Sequence, residues 1–333
     1  TSGPERHFVT GGAGFIGSHL VERLLGQGHI VVAYDNFGTG RRSHLEPYLD
    51  HPGFRLVEGD ILTLPHLAEA MAGADVVWHL AANTDILKGN AQVDLDLENC
   101  TIGTHRALEA MRATGVRRII FASSAAVYGD IDRLPTTEAV GPLLPISLYG
   151  AAKVAGETLI SAYCHLFGFQ AWMFRFGNVI GARMGHGVIY DFIQKLRRNP
   201  RELEVLGDGE QEKPYLLVED CLGGMECAFR RSGAWCDVYN LGPEDGIKVK
   251  RIADIVMSEM DLDRDQVCVR YTGGQRGWPG DAPRMGFDAS KMRALGWRAE
   301  HSSAEAVRIA TRRLLRREDR DPEAAGRRGS LAP

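Results

Sequence analysis

Residues 8–25, Phe-Val-Thr-Gly-Gly-Ala-Gly-Phe-Ile-Gly-Ser-His-Leu-Val-Glu-Arg-Leu-Leu, limit the fold more than any other stretch. A short apolar strand enters a glycine turn. The chain then leaves as a helix with Phe15, Ile16, Leu20, Val21, Leu24 and Leu25 spaced for one buried face. Gly12-x-Gly14-x-x-Gly17 fits the dinucleotide-binding fingerprint, and Gly11 supplies a second spacing with Gly14 and Gly17. One glycine makes the tight turn, one lets the backbone approach a pyrophosphate, and one lets helix and strand pack closely. The first amides of the helix then face the phosphates, where the helix dipole favours negative charge. A lone glycine triplet carries little weight, but this one sits between a strand and a helix.

Residues 29–35 read as a second strand, apolar nearly throughout, as suits a parallel sheet covered on both faces. It ends in Asp35, about 20 residues after the glycine turn, where an acid accepts both hydroxyls of an adenosine ribose. A carboxylate there repels a 2′-phosphate, which favours NAD over NADP. Arg41 and Arg42 in the next loop keep NADP open. Residues 54–61, ending Asp60-Ile61, predict a third strand, and residues 64–72 a short helix. Residues 75–82, ending Leu80-Ala81-Ala82, predict a fourth strand whose small last residues let a cofactor lie against the backbone. A long helix from about Leu95 to Thr114 and a fifth strand over 117–124 follow. Strand and helix alternate, so this half reads as a doubly wound parallel sheet. Ligands collect at the carboxyl ends of such strands, where Gly14, Asp35, Asp60, Ala81 and Ser124 all fall.

Tyr149 and Lys153 lie four apart at the start of a predicted helix, on one face. A neighbouring ammonium favours phenolate and lowers the phenol pKa toward neutrality, as a general base acting on a sugar hydroxyl requires. Tyr-x-x-x-Lys is common on solvated helices; here it follows a nucleotide fold and the serine pair Ser123-Ser124. The second half reads more coarsely. Residues 170–177 predict a sixth strand, followed by Asn178, a glycine-rich loop through Gly187 and a helix to about Arg198. Residues 206–215 read as turn and loop, 237–242 as a last strand, 252–260 as a helix, and 267–271 as a strand. The loop 273–283 carries Arg276. The expected organisation is α/β: a Rossmann-type domain over 1–180 with a returning segment near 215–243. A smaller mixed α/β substrate lobe over 181–315 and a flexible tail over 316–333 complete it.

At 333 residues the chain can bury a large core. A net charge of −4 gives no reason to expect nucleic acid or an anionic membrane. The six cysteines form no Cys-x-x-Cys, so reduced core cysteines are expected rather than a metal site or a redox pair. No signal-peptide pattern opens the sequence and no apolar run reaches roughly 18 residues, so a cytoplasmic protein is the expectation.

Taken together, Thr10-Gly-Gly-Ala-Gly-Phe-Ile-Gly17, Asp35-Asn36, Asp60-Ile61, Leu80-Ala-Ala82, Asn99-x-x-x-Gly103-Thr104, Ser123-Ser124-Ala-Ala-Val-Tyr-Gly129, Tyr149-x-x-x-Lys153 and Arg175-x-x-Asn178 resemble the extended short-chain dehydrogenase/reductase family. Within it they look like the nucleotide-sugar epimerase and dehydratase branch, over roughly residues 7–300. The resemblance implies NAD as cofactor. Its pyrophosphate would lie on the loop of Gly11, Gly14, Phe15, Ile16 and Gly17. The adenosine ribose would lie at Asp35 and the adenine at Asp60 and Ile61, with Asn36, Leu80, Ala81, Ala82 and Asn99 also near the cofactor. It further implies Lys153 on the nicotinamide ribose, Ser124 and Tyr149 on the sugar 4-hydroxyl, and Asn178 and Arg276 on a sugar-nucleotide diphosphate. Lys213 stands where many members have arginine, and Thr84 lies in the segment expected at the sugar. Dehydratases and decarboxylases of the branch carry an acid after the serine, and GDP-fucose synthase-type enzymes a cysteine beside it. Here Ala125 and Ala126 follow, the pattern that UDP-glucose 4-epimerases show. The resemblance therefore implies an NAD-dependent 4-epimerase acting on a nucleotide-diphosphate sugar, a UDP-sugar first among several bases. It also implies a homodimer through the helices near 95–114 and 148–168. A dehydrogenase or keto-sugar reductase of the same fold is the alternative, and a cofactor-sensing protein without catalysis a third reading. His186 reads either as an acid near the sugar or as an ordinary loop histidine.

Overall fold

The structure, a computed structural model, describes residues 3–318. Its first half runs β1 (Arg6–Thr10), α1 (Phe15–Gly26), β2 (Ile30–Asp35), β3 (Phe54–Glu58), α2 (Leu64–Met71), β4 (Val76–His79), α3 (Ile86–Ala91), α4 (Asp94–Asp96), α5 (Gly103–Thr114), β5 (Arg118–Ala122), α6 (Leu148–Phe167) and β6 (Gln170–Phe176). Then come β7 (Asn178–Ile180), α7 (Val188–Arg198), β8 (Glu202–Val205), β9 (Glu212–Lys213), β10 (Tyr215–Leu217), α8 (Val218–Arg231), β11 (Cys236–Leu241), β12 (Ile247–Lys248), α9 (Val249–Glu259), β13 (Cys268–Tyr271), α10 (Ser290–Ala294) and α11 (Ser303–Glu318).

Seven strands form one parallel sheet in the order β11-β6-β5-β4-β1-β2-β3. Successive side chains point to opposite faces of a strand, and here both faces are apolar. Val9, Val31 and Ala33 pack with Leu20, Leu24 of α1 and Leu222, Met225 of α8. Phe8, Val32 and Tyr34 pack with Leu67 of α2, Leu108 of α5 and Ile160 of α6. The strand order reverses between β1 and β4, which opens a crevice at their carboxyl ends. A separate core joins Ile189, Phe192 and Ile193 of α7, Ile252 and Val256 of α9, and Ala306, Val307 and Ala310 of α11. This is the Rossmann-type α/β fold with a smaller mixed lobe that the sequence predicts. Among the described residues no helix is long and apolar enough to cross a membrane.

Several elements differ from the sequence reading. The helix predicted from Leu95 is interrupted by a π-helical turn, Leu97–Ile102. The third, fourth and fifth strands stop at Glu58, His79 and Ala122, so Asp60, Leu80–Ala82 and Ser124 stand in the loops just beyond. Residues 206–215 are not all loop, because β9 pairs with β12 and Tyr215 opens β10. The tail predicted from 316 begins inside α11, which runs to Glu318; residues 319–333 lie outside the described residues.

Candidate active site

The site grows from the turn after β1. Gly11 adopts φ +69°, and a Cβ there would lie 2.9 Å from the Ala81 backbone nitrogen. A Cβ on Gly17 would lie 2.0 Å from the Gly11 carbonyl oxygen. The α1 N-cap, Gly14, has no side-chain hydrogen bond, and no acid stands in the first turn. The first amides of Phe15, Ile16 and Gly17 therefore present the positive helix end to the crevice. This cradle fits a dinucleotide pyrophosphate.

Asp35 is buried at the end of β2, and its two oxygens accept the backbone N–H groups of Ala13 (2.9 Å) and Phe37 (2.8 Å). Burial pushes this carboxyl up, and backbone donors from Phe37, Ala13 and Gly14 pull it down. A carboxylate has about four lone-pair sites, so ribose hydroxyls still find acceptors. Asn36 Nδ2 donates to Asp60 Oδ2 (3.0 Å), and Leu62 N–H donates to Asp60 Oδ1 (2.9 Å). Ile61 is buried beside them. Arg42 lies 3.7 Å from Glu58 Oε2.

At the end of β4, Thr10 Oγ1 accepts the N–H groups of Leu80 and Ala81, both at 3.2 Å. Behind them the His79 ring sits between Thr10 Oγ1 (2.8 Å) and Thr104 Oγ1 (3.1 Å). Burial, helped by Lys153, lowers its pKa to about 3, so the ring is neutral.

Ser124 caps the short turn Ala125–Tyr128, its Oγ accepting the Ala126 N–H at 3.1 Å. Ser147 caps α6 through the Gly150 N–H (3.1 Å), which fixes Tyr149 in the first turn. Ser124 is the polar neighbour that pulls the Tyr149 phenol down. Lys153 is 3% exposed; its Nζ donates to the Ala122 carbonyl (2.7 Å) and lies 5.6 Å from the Tyr149 ring centre. The spacing predicts a phenol lowered by this ammonium, whereas burial acts in the other direction. Burial pushes the Tyr149 phenol up, Cys100 and Asp96 push it further, and only the Ser124 hydrogen bond opposes them. The physical reason is that Lys153 is itself desolvated, which lowers its pKa, and is turned toward Ala122.

Asn99 sits half-buried in the π-helical turn and donates to the Leu95 carbonyl (3.0 Å). Its neighbour Cys100 is the buried residue, with Sγ near Asn83 O (3.9 Å) and Asp96 Oδ1 (4.0 Å). Asn83 Nδ2 donates to that same Asp96 oxygen at 2.9 Å. No spacing in the sequence marks Asn83, Asp96 and Cys100 as one buried cluster.

Asn178 Nδ2 donates to Pro214 O (3.5 Å). Lys213 pairs with buried Asp281, and Arg276 with Asp130; Arg276 also donates to the Asp281 carbonyl at 2.6 Å. Asp281 Oδ2 accepts the Gly277 N–H (3.1 Å), so one carboxylate organises the loop. Thr84 Oγ1 lies 3.3 Å from His186 Nε2, which links the segment after β4 to the glycine-rich loop before α7.

Glu5, His7 and His29 gather near the other end of β1, close enough for an ion. His7 Nδ1 accepts the Trp78 Nε1–H (2.9 Å) and His29 Nδ1 accepts the Glu5 N–H (3.1 Å). Burial lowers the His7 pKa to about 3, so its neutral ring carries the proton on Nε2 and offers no lone pair there.

A parallel sheet that opens over an uncapped helix, with a phenol and a buried ammonium at the same strand ends, defines an enzyme that holds a dinucleotide and moves protons beside it. The profile of the NAD dependent epimerase/dehydratase family matches residues 7–242, and the chain belongs to that family; its cofactor is NAD. The UDP-glucose 4-epimerase of Mycolicibacterium smegmatis is 36% identical over 318 residues, covering 91% of this chain and 96% of that protein. A crystal structure of a UDP-galactose 4-epimerase is 39% identical, with TM-score 0.84 over 94% of this chain and 99% of the other. A double mutant of DesIV, the dTDP-glucose 4,6-dehydratase of Streptomyces venezuelae with NAD and DAU bound, is 27% identical. Its TM-score is 0.87 over 96% of this chain and 99% of that chain.

Proposed function

We propose that the chain is a nucleotide-diphosphate-sugar 4-epimerase, with a UDP-sugar as substrate. The observation that carries this reading is the turn after β5, where Ser124 is followed by the methyl groups of Ala125 and Ala126 and by no acid. The greater identity to the UDP-galactose 4-epimerase than to the dTDP-glucose 4,6-dehydratase supports it. In this reading the loop of Gly11, Gly14, Phe15, Ile16 and Gly17 holds the pyrophosphate. Asp35 and Asn36 hold the adenosine ribose, Asp60 and Ile61 flank the adenine, and Leu80–Ala82 floor the site. Lys153 holds the nicotinamide ribose. Asn178, Lys213 and Arg276 meet the sugar-nucleotide diphosphate, and Thr84 the sugar. When bound, NAD would take the hydride from C4 and give the same hydride back to the other face of the keto sugar, and its positive oxidised ring would favour the phenolate form of a nearby tyrosine. Ser124 holds the sugar O4, and Tyr149 takes its proton as C4 becomes a ketone. The keto sugar turns over, and Tyr149 returns the proton to O4 of the other epimer.

The test follows the C4 hydrogen. A UDP-sugar deuterated at C4 should keep its label in the 4-epimer, and turnover in D₂O should put no deuterium on carbon, both read by mass spectrometry. Solvent deuterium in the product would replace the reading with a dehydratase or 3,5-epimerase. Loss of the label with stoichiometric NADH would replace it with a dehydrogenase.

Two smaller results follow. By calorimetry NAD should bind far more tightly than NADP, and Asp35→Ala should lose roughly 1.5–3 kcal/mol of NAD affinity, the scale of hydrogen bonds to a charged group. Equal affinities for NAD and NADP would remove the ribose role of Asp35. We also infer a homodimer through the helices near 95–114 and 148–168, where Leu97 (52% exposed) and Leu166 (73%) would be covered by the second copy. Sedimentation at micromolar concentration should give twice the chain mass, and a monomer would contradict this.

A further inference from the structure

Ser123, Tyr128 and Arg175 belong to the sequence motifs but have no place in the reading above. The structure joins them through Glu157, which stands one turn after Lys153 in α6 and is 5% exposed. Ser123 Oγ donates to Glu157 Oε1 at 2.5 Å. Arg175, 4% exposed, grips the same carboxylate with a fork, Nε to Oε1 at 2.9 Å and Nη2 to Oε2 at 2.6 Å. Its guanidinium lies 4.9 Å from the centre of the Tyr128 ring, and its Nη1 donates to Glu138 O at 3.4 Å. Tyr128 donates to Asn240 Oδ1 at 2.5 Å. Asn240 in turn donates its N–H to Glu138 Oε1 and its amide to Thr136 O, both at 2.8 Å. One hydrogen-bonded chain thus ties the end of β5, α6, β6, β11 and the turn that Ser124 caps.

Stability gives a poor reason for such a chain. A buried ion pair replaced as a pair by apolar residues often leaves a protein as stable as before or more so. What the pair does fix is geometry. Ser123 precedes Ser124 directly, Tyr128 closes the turn that Ser124 opens, and Glu157 shares a face of α6 with Lys153 and Tyr149 at spacings of four and eight residues. We propose that Glu157 is a positioning residue: through Ser123 and Arg175 it locks the end of β5 against α6 and sets how Ser124 stands to Tyr149 and Lys153. This rests on the reading that those three groups act on the sugar.

The holoenzyme tests it in two variants. Ser123→Ala removes one hydrogen bond and keeps the ion pair. Glu157→Leu with Arg175→Met removes the pair and strands no charge. Both should keep the melting temperature, the bound NAD and the KM for UDP-galactose, while kcat falls roughly 10- to 100-fold, as for a displaced catalytic group. Near-ultraviolet titration, with Tyr149→Phe as the blank, should also show Tyr149 ionising at a shifted pH. An unchanged kcat and an unchanged Tyr149 titration in either folded variant would overturn the proposal. So would a fall in kcat that merely follows lost NAD or a lower melting temperature. If the double variant does not fold, Ser123→Ala decides. If the unaltered enzyme epimerises neither UDP-galactose nor UDP-N-acetylgalactosamine, the epimerase reading fails for the sugars tested, and the Tyr149 titration, which needs no sugar, still judges Glu157.

Discussion

Tyr149→Phe should lower kcat by roughly 10²–10⁴-fold, the range for loss of a positioned acid–base group, with the fold and the bound NAD intact. The change removes one oxygen and keeps the ring. The Ser147 cap that starts α6 is untouched, as is the Lys153 hydrogen bond to Ala122. KM should stay near its original value, because the hydroxyl contributes most as the proton moves. The cofactor absorbance of the purified variant, its melting temperature and its conversion of UDP-galactose check the three claims together. Full activity would take Tyr149 out of the mechanism, and lost NAD would make it a binding residue instead.

Gly17→Ala should be as damaging for a different reason. The new methyl carbon would sit 2.0 Å from the Gly11 oxygen and 2.9 Å from both the Gly11 carbonyl carbon and the Gly12 Cα. All three are backbone atoms, so no flexible side chain can yield. The turn must open, at a cost of about 3 kcal/mol or more for overpacking, and with it goes the close approach that a pyrophosphate needs. Urea melts should show the lost stability and calorimetry the lost NAD affinity. Gly26 at the other end of the same helix is the control. A Cβ there meets nothing within 4 Å, so Gly26→Ala should be neutral or stabilising by up to about 1 kcal/mol. Normal NAD affinity in Gly17→Ala would show that the crowding read from the structure does not govern binding.

The parts of the site legible in the sequence are those set by local spacing. The glycine turn, Asp35 at the end of β2, and Tyr149 with Lys153 on one helix face each follow from a short stretch of chain. What was misread depends on distant partners. Strand ends are fixed by pairing: Glu58 has Asp35 as its last partner, so the strand stops before Asp60. Helix α8 escaped notice because Gly223-Gly224 disfavours helix in isolation; Gly224 lies beneath the Trp297 ring, and Glu219, Asp220, Arg230 and Arg231 complement the helix ends. The π-helical turn that points Cys100 rather than Asn99 inward follows no periodicity. The direction of the Tyr149 pKa depends on burial, which the spacing to Lys153 does not reveal. The Lys213–Asp281 and Arg276–Asp130 pairs join residues 68 and 146 apart in the chain.

If Lys213 and Arg276 meet the diphosphate as proposed, those two pairs make their loop an ion exchanger. Lys213 and Arg276 already hold carboxylates as built-in counter-ions. In the proposed function, a diphosphate displaces Asp281 and Asp130 rather than loosely held water. A neutral nucleoside has no charge with which to part them, so entry selects for the phosphates before the sugar is read. The same carboxylates remain beside the cations throughout turnover and compete for them as the product loosens. In the proposed 4-epimerase, whose substrate and product differ only in the configuration of one carbon, this competition weakens both to the same degree and keeps the product from lingering.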